Sequence, residues 1–212
     1  FFKIQINENG EIVSFQDKRY NREICSDKPM NNFIAYEDKP LRNDAWDIDI
    51  FYKEKPYGPI ELINSQVVET GPLRGVLRQS WKFHESIIEQ DIIIYQDKDR
   101  VDFKTYVNWN EKQVLLKAYF PVDIHASEAT YDIQFGNLRR STNTNTEWDF
   151  ARFEVTAHKW VDLSETDYGI SLLNDCKYGY DIHDNVIGIS LIKSAINPDE
   201  TADQGDHYFT YS

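Results

Sequence analysis

The chain has 212 residues, 41% of them hydrophobic and 14% aromatic, which is enough apolar material for a sizeable core and too much for a disordered chain. Its 23 Lys and Arg against 36 Asp and Glu give a formal net charge of -13. That argues against nucleic acid or an anionic membrane surface as partner, since both are bound by cations that displace counterions. Two cysteines, Cys25 and Cys176, make neither a disulfide framework nor a zinc motif, and both are expected to be reduced; no apolar run approaches membrane-spanning length.

Taken in chain order, Phe2, Ile4 and Ile6 alternate with Lys3 and Gln5, and Glu8-Asn9-Gly10 leads into a second run ending at Phe15. Asn-Gly between alternating runs predicts a hairpin. Residues 36–44 read as a polar loop fixed by Pro40, and residues 45–52 as a strand with Trp46, Ile48 and Ile50 on one side and Asp47 and Asp49 on the other. Lys55-Pro56-Tyr57-Gly58-Pro59 breaks the pattern, so a sub-boundary near 55–60 is the one division expected within the region 1–212. Five long strand patterns then follow, at 60–69, 73–85, 86–95, 101–109 and 113–121. In the fourth, Val101, Phe103, Thr105, Val107 and Trp109 share one face, as in an antiparallel meander with one face buried.

Residues 147–181 read as strands joined by polar turns. Phe153, Val155 and Ala157 alternate with Arg152, Glu154 and Thr156; a turn spans 163–167; Tyr168, Ile170 and Leu172 share a face. The segment Asn174-Asp175-Cys176-Lys177-Tyr178-Gly179-Tyr180-Asp181 offers amide, carboxylate, ammonium and phenol groups, with Gly179 permitting a backbone conformation closed to other residues. A long structured turn whose side chains satisfy their own backbone is the competing reading. Residues 141–146 and 197–206 read as loops, Asp184-Asn185 as a turn, and residues 207–211 as a last strand. No three-turn helix or internal repeat is evident. So many strands need two sheets to cover their inner faces, which predicts an all-β fold, a large antiparallel β-sandwich with a small extra sheet at the N-terminal end.

The chemistry legible in the residues is sparse. Two carboxyl groups acting together as nucleophile and acid/base need to lie about 5–5.5 Å apart. Asp44, Asp47, Asp49, Asp175 and Asp181 are the candidates, but Asp47 and Asp49 on one strand face would lie about 7 Å apart, a spacing better suited to a solvated face. The five histidines, His84, His125, His158, His183 and His207, are scattered without metal-ligand spacing.

Several strings go further. ARFEV, AHKW and DLSE leading into SLLNDCKYGYD, together with NENGEIVSFQDK, YEDKP, DAWDID and PDETADQGDHYFTY, resemble the C-terminal β-region of glycoside hydrolase family 38. This is the family of retaining, zinc-dependent α-mannosidases, and the similarity is to its cytosolic and bacterial branch. The resemblance implies a galactose-mutarotase-like supersandwich and a cytoplasmic parent enzyme that cleaves terminal α-linked mannose. It also implies that the nucleophile, the zinc and its ligands lie in an N-terminal catalytic domain outside this chain. The chain then reads as an excised piece, without a cofactor or a catalytic residue of its own. Its expected partners are that catalytic domain and α-mannoside glycans, and contacts between copies of the protein are a further role it allows. Sugar recognition needs an apolar ring face beside fixed polar groups. Trp46 with Asp44 and Asp47, and Lys177 with Tyr178 and Asn174, have those chemical types and are the candidate substrate-binding residues, with packing between domains as the competing role. The rival reading is an independent carbohydrate-binding, lectin-like module.

Overall fold

The computed structural model describes residues Phe1–Ser212, and the alternation at its start folds as the expected hairpin. β1 (Phe2–Ile6) pairs with β2 (Ile12–Asp17), and Gly10 in the turn takes φ +81°, a left-handed conformation costly for any residue with a Cβ. Asn7 Oδ1 accepts the N–H groups of Asn9 and Glu11 at 3.0 Å each, so the turn satisfies its own backbone. The later strands are β3 (Arg22–Glu23), β4 (Asn32–Glu37), β5 (Glu61–Thr70), β6 (Arg74–Phe83), β7 (Ser86–Tyr95), β8 (Val101–Trp109), β9 (Val114–Pro121), β10 (Glu128–Ile133) and β11 (Gly136–Ser141). One short helix, α1 (Glu147–Ala151), precedes β12 (Val155–Thr156), β13 (Trp160–Ser164), β14 (Gly169–Leu173), β15 (Gly179–His183), β16 (Val186–Lys193) and β17 (Gly205–Tyr211). The five long strands expected between residues 60 and 121 are β5 to β9, within a residue or two at each end.

Every strand pair is antiparallel, and the fold is an all-β sandwich. One large sheet has the order β17-β8-β7-β6-β5, and it faces a second with the order β12-β15-β16-β9-β4. Aromatic contacts join the two: Phe33 of β4 meets Trp81 of β6 at 5.1 Å between ring centroids, and Phe120 of β9 meets Phe103 of β8 at 5.7 Å. The small sheet β1-β2-β3 and a four-stranded sheet β11-β10-β13-β14 add side chains such as Ile12, Phe15, Tyr131 and Val161 to the same core. The proline-rich break at 55–59 lies between β4 and β5, and β4 hydrogen-bonds to β9 beyond it, so the two sides of the break share a sheet.

β9 is the strand that positions the site. All eight of its residues are buried. Val114, Leu116, Ala118 and Phe120 face the main core, while Leu115 and Tyr119 join Tyr36 and Tyr52 in a second, smaller core on the sheet's other face. That outer face is covered by the 44–55 segment and by the chain around Phe153.

Here two expectations fail. Residues 45–52 form no strand: Trp46 and Asp47 both donate their N–H to Asn43 O, at 2.8 and 3.1 Å, and the segment ends in a single 3-10 turn at Tyr52–Glu54. Ile48 and Tyr52 are drawn into the second core, and that packing overrides the alternation. Residues 147–151 are helical instead of extended. Thr146 caps the helix by accepting the Asp149 N–H at 3.1 Å and donating to the Asp149 carboxylate at 2.6 Å.

Candidate functional site

Within the apolar run of β9 stands Lys117, with no side-chain exposure. Its register sets it opposite Ile34 on one neighbouring strand and Ser190 on the other. An ammonium there must be paired, since burying an isolated charge is prohibitive. Two carboxylates pair it: Asp181 of β15, at 2.5 Å, and Glu154, just before β12. Asp181 also receives Lys53, and the Tyr52 hydroxyl donates to the same Glu154 oxygen that Lys117 contacts. Two cations and two carboxylates therefore balance beneath the outer face of the sheet.

Burial works against the charges on Lys117, Asp181 and Glu154. For Lys117 it is overcome by Asp181 and Glu154, which raise the ammonium above its usual range. For Asp181 it is overcome by Lys117 and Lys53, which hold the carboxyl below its usual range. For Glu154 burial prevails, with Asp181 adding to it, and the carboxyl is raised in spite of Lys117. Burial likewise drives the Tyr52 and Tyr119 phenols far upward, so both remain protonated.

Over this cluster lies an open groove of about 800 Å³. The 45–48 turn forms one rim and Cys176, Lys177 and Tyr178 another, with Phe153, Glu154 and Ser190 also lining it. Trp46 is 73% exposed and Tyr178 is 52% exposed. Tyr178 stands edge-on to His158 at 5.6 Å. Lys177 does not project outward: its ammonium lies 4.2 Å from the centre of the Phe209 ring, where burial lowers its pKa.

The structure divides the six candidate residues. Trp46, Lys177 and Tyr178 come together around the groove. Asp44 is buried and does not line it; its carboxylate accepts the N–H groups of Ile196 and Asn197 at 2.9 and 3.2 Å and ties down the following loop. Those bonds, Ile196 first, hold its pKa below the usual range against the opposing effect of burial. Asn174 is buried as well, donating to His158 O at 2.8 Å and to the Tyr180 hydroxyl, and accepting the Lys177 N–H at 2.5 Å. It fixes the backbone that carries Lys177. Asp47 is exposed and accepts the N–H of Ile48 at 2.9 Å. Gly179 has no left-handed backbone; it opens β15, and a Cβ there would lie 2.9 Å from the Ser190 Cβ.

Against known proteins, the chain matches the family model described as glycosyl hydrolases family 38 C-terminal domain over residues 1–201. The chain belongs to this family. Among curated relatives it is 46% identical to alpha-mannosidase G of Dictyostelium discoideum over 219 aligned positions, which cover 100% of this chain and 20% of the relative. Alpha-mannosidase 2C1 of Mus musculus is 38% identical, with 99% and 20% covered, and alpha-mannosidase of Saccharomyces cerevisiae is 37% identical, with 94% and 19% covered. The chain thus spans about a fifth of the length of the curated relatives it matches. The fold is shared with the crystal structure of an alpha-mannosidase from Enterococcus faecalis V583, at a TM-score of 0.78 and 15% identity, covering 100% of this chain and 28% of that one.

In this family 38 C-terminal domain, the residues that sequence reasoning missed are Lys117, Tyr52 and Glu154. Glu154 falls on the expected wet face of an alternating run, yet its side chain is only 10% exposed. Lys117 carried one signal: a lone cation in the middle of an eight-residue apolar strand requires a buried anion. The Thr146-x-x-Asp149 spacing was the corresponding signal for the helix.

Proposed function

We propose that this domain is the non-catalytic β-sandwich portion of a retaining, zinc-dependent α-mannosidase that hydrolyses terminal α-linked mannose. It buttresses a catalytic domain in the same polypeptide and lends its groove to the wall of the sugar pocket. The supporting observation is that the exposed rings of Trp46 and Tyr178 and the half-buried Lys177 line one groove, on a chain whose named relatives are far longer α-mannosidases. Exposed aromatics beside fixed polar groups suit a pyranose, which presents an apolar face and a ring of hydroxyls. The catalytic carboxylates and the zinc belong, in this reading, to the rest of the polypeptide. The side chains present do not fit a zinc site, because no three His, Cys, Asp or Glu side chains are grouped to hold a metal. No helix is long and apolar enough to cross a membrane. A cytoplasmic location for the parent rests on the sequence resemblance and on two unpaired thiols, Cys25 and Cys176.

The test is Trp46→Ala and Lys177→Ala in the intact parent enzyme, with steady-state kinetics paired with denaturant melts. A pocket wall predicts kcat/KM lowered about ten- to a hundredfold, with little change in stability. Early melting with kcat/KM preserved in the remaining folded enzyme would assign both residues to packing.

A further inference from the structure

Glu154 has a carboxylate oxygen that the fold does not use. Tyr52 and Lys117 both donate to Oε1, which leaves Oε2 without a partner in the chain. Unlike Asp181 Oδ1 or the Asp38 oxygens, Oε2 is not sealed from solvent, and Glu154 lines the same groove as Trp46 and Tyr178. We propose that Glu154 contacts the ligand directly, with Oε2 accepting a hydrogen bond from a hydroxyl of the sugar bound in this groove. The inference rests on the reading of the groove as part of the sugar pocket.

Three observations carry it. The side chain is 10% exposed and held at one end by two donors, so its free oxygen is already oriented before any ligand arrives. Lys117 is contacted through Oε1 alone and keeps Asp181 at 2.5 Å as a second partner, so the pairing of the ammonium leaves Oε2 uncommitted. A carboxylate sunk in an apolar recess for packing alone would be a poor choice, since an ionised group there is costly unless its acceptor positions are filled. The chemistry then narrows the ligand. Burial raises the Glu154 carboxyl and its ion pair with the Lys117 ammonium opposes that; as the ionised partner of Lys117 it only accepts hydrogen bonds, so the facing group is a donor, and an anionic ligand is repelled. A cationic ligand would be opposed by the Lys117 ammonium, which already contacts the same carboxyl. A neutral polyol, stacked on Trp46 or Tyr178 and donating a hydroxyl to Oε2, satisfies every group. Glu154 in this role is a binding and specificity residue of the site, and it takes no part in bond cleavage.

The experiment uses the intact parent enzyme and a set of aryl α-mannosides, the parent glycoside and analogues that each lack one ring hydroxyl. Glu154→Gln and Glu154→Asp are compared with wild type by kcat/KM and by thermal melting. The Asp variant keeps the charge beside Lys117 and withdraws the free oxygen by one methylene. The expected result is a loss of about tenfold or more on the full mannoside, and little or no loss on the one analogue that lacks the contacted hydroxyl. Equal losses on every analogue would overturn the proposal, as would a melting shift that accounts for the activity change or a failure of both variants to accumulate as folded enzyme. Failure of the underlying reading is separable. If Trp46→Ala leaves kcat/KM untouched, the groove is not part of the pocket. If Trp46→Ala lowers it while the Glu154 variants show no analogue dependence, only the assignment of Glu154 falls.

Discussion

Gly188 leaves the space that the Asp181 carboxylate occupies: a Cβ on Gly188 would fall 2.2 Å from Asp181 Oδ1 and 2.8 Å from the Tyr119 ring. The two residues are register partners on β15 and β16, and Tyr119 is the next partner across, on β9. Gly188→Ala is therefore expected to destabilise the domain by about 1–3 kcal/mol or more, because an added methyl in a packed site forces its neighbours off their rotamers. Urea melts of the 212-residue chain would show it. A change below about 0.5 kcal/mol, the range of ordinary surface substitutions, would mean that the carboxylate relocates freely.

Lys117→Met removes the cation that Asp181 and Glu154 share. The expected cost is about 3–5 kcal/mol, the range for stranding buried charge. Lys117→Met combined with Asp181→Asn should recover part of that cost. A double variant no better than the single one would place the cost in packing, not in charge.

Acid stability should depend on Asp17. Arg19 binds its carboxylate through a side-chain hydrogen bond, burial opposes, and the Arg19 N–H and the Tyr168 hydroxyl add their bonds, which together hold the pKa below the usual carboxylate value. A depressed carboxyl stabilises the fold above its unfolded pKa of about 3.9, and that contribution is lost as pH falls through the lower folded value. Asp17→Asn should therefore cost about 1–2 kcal/mol near pH 7, on the modest side for a bond to a charged group because Arg19 is 38% exposed. The gap between the two proteins should close as pH falls below the unfolded value of about 3.9 and on through the lower folded one. Melts across pH 2 to 7 would check the sign, and a gap that widens in acid would contradict it.

The 212-residue chain alone should melt cooperatively, release no aryl group from an aryl α-mannoside with or without added zinc, and bind mannose in the millimolar range, about -4 kcal/mol. One wall of a shared pocket gives no more than that. Calorimetric titration showing micromolar affinity would favour the autonomous carbohydrate-binding module, and turnover near that of ordinary enzymes would refute a non-catalytic role.

Strand existence was legible because it rests on alternation and on turn chemistry that act locally, as in Asn9-Gly10 and in the meander β5 to β9. What was not legible depended on the partner across the sheet. Trp46, Ile48 and Ile50 alternate as a strand would, but Ile48 answers to the second core and the Asn43 carbonyl bends the chain into a turn. Asp44 and Asn174 have the chemistry of sugar-binding groups, and the fold uses them instead on backbone far away in the chain or just beside them. Trp46 lies far from Lys177 and Tyr178 in the sequence, and only the packing of the 45–48 turn near the 176–178 segment brings them to one groove. Glu154 was hidden because a period-2 pattern assigns faces by sequence alone, and a cation on another strand reverses the assignment.

The placement of β9 between β4 and β16 has a consequence for synthesis. One neighbour precedes β9 and the other follows it at a distance, while β17, the last strand, closes the edge of the opposite sheet against β8. A ribosome adding about 5–20 residues per second therefore holds an eight-residue strand, apolar on both faces but for Lys117, half-paired for several seconds before β15 and β16 emerge with Asp181. Such non-local pairing also slows folding once the chain is complete. A translational pause between the codons of β9 and β16 would prolong the exposure and raise the demand for chaperones. The same pause placed after β17 would leave the yield of folded protein unchanged.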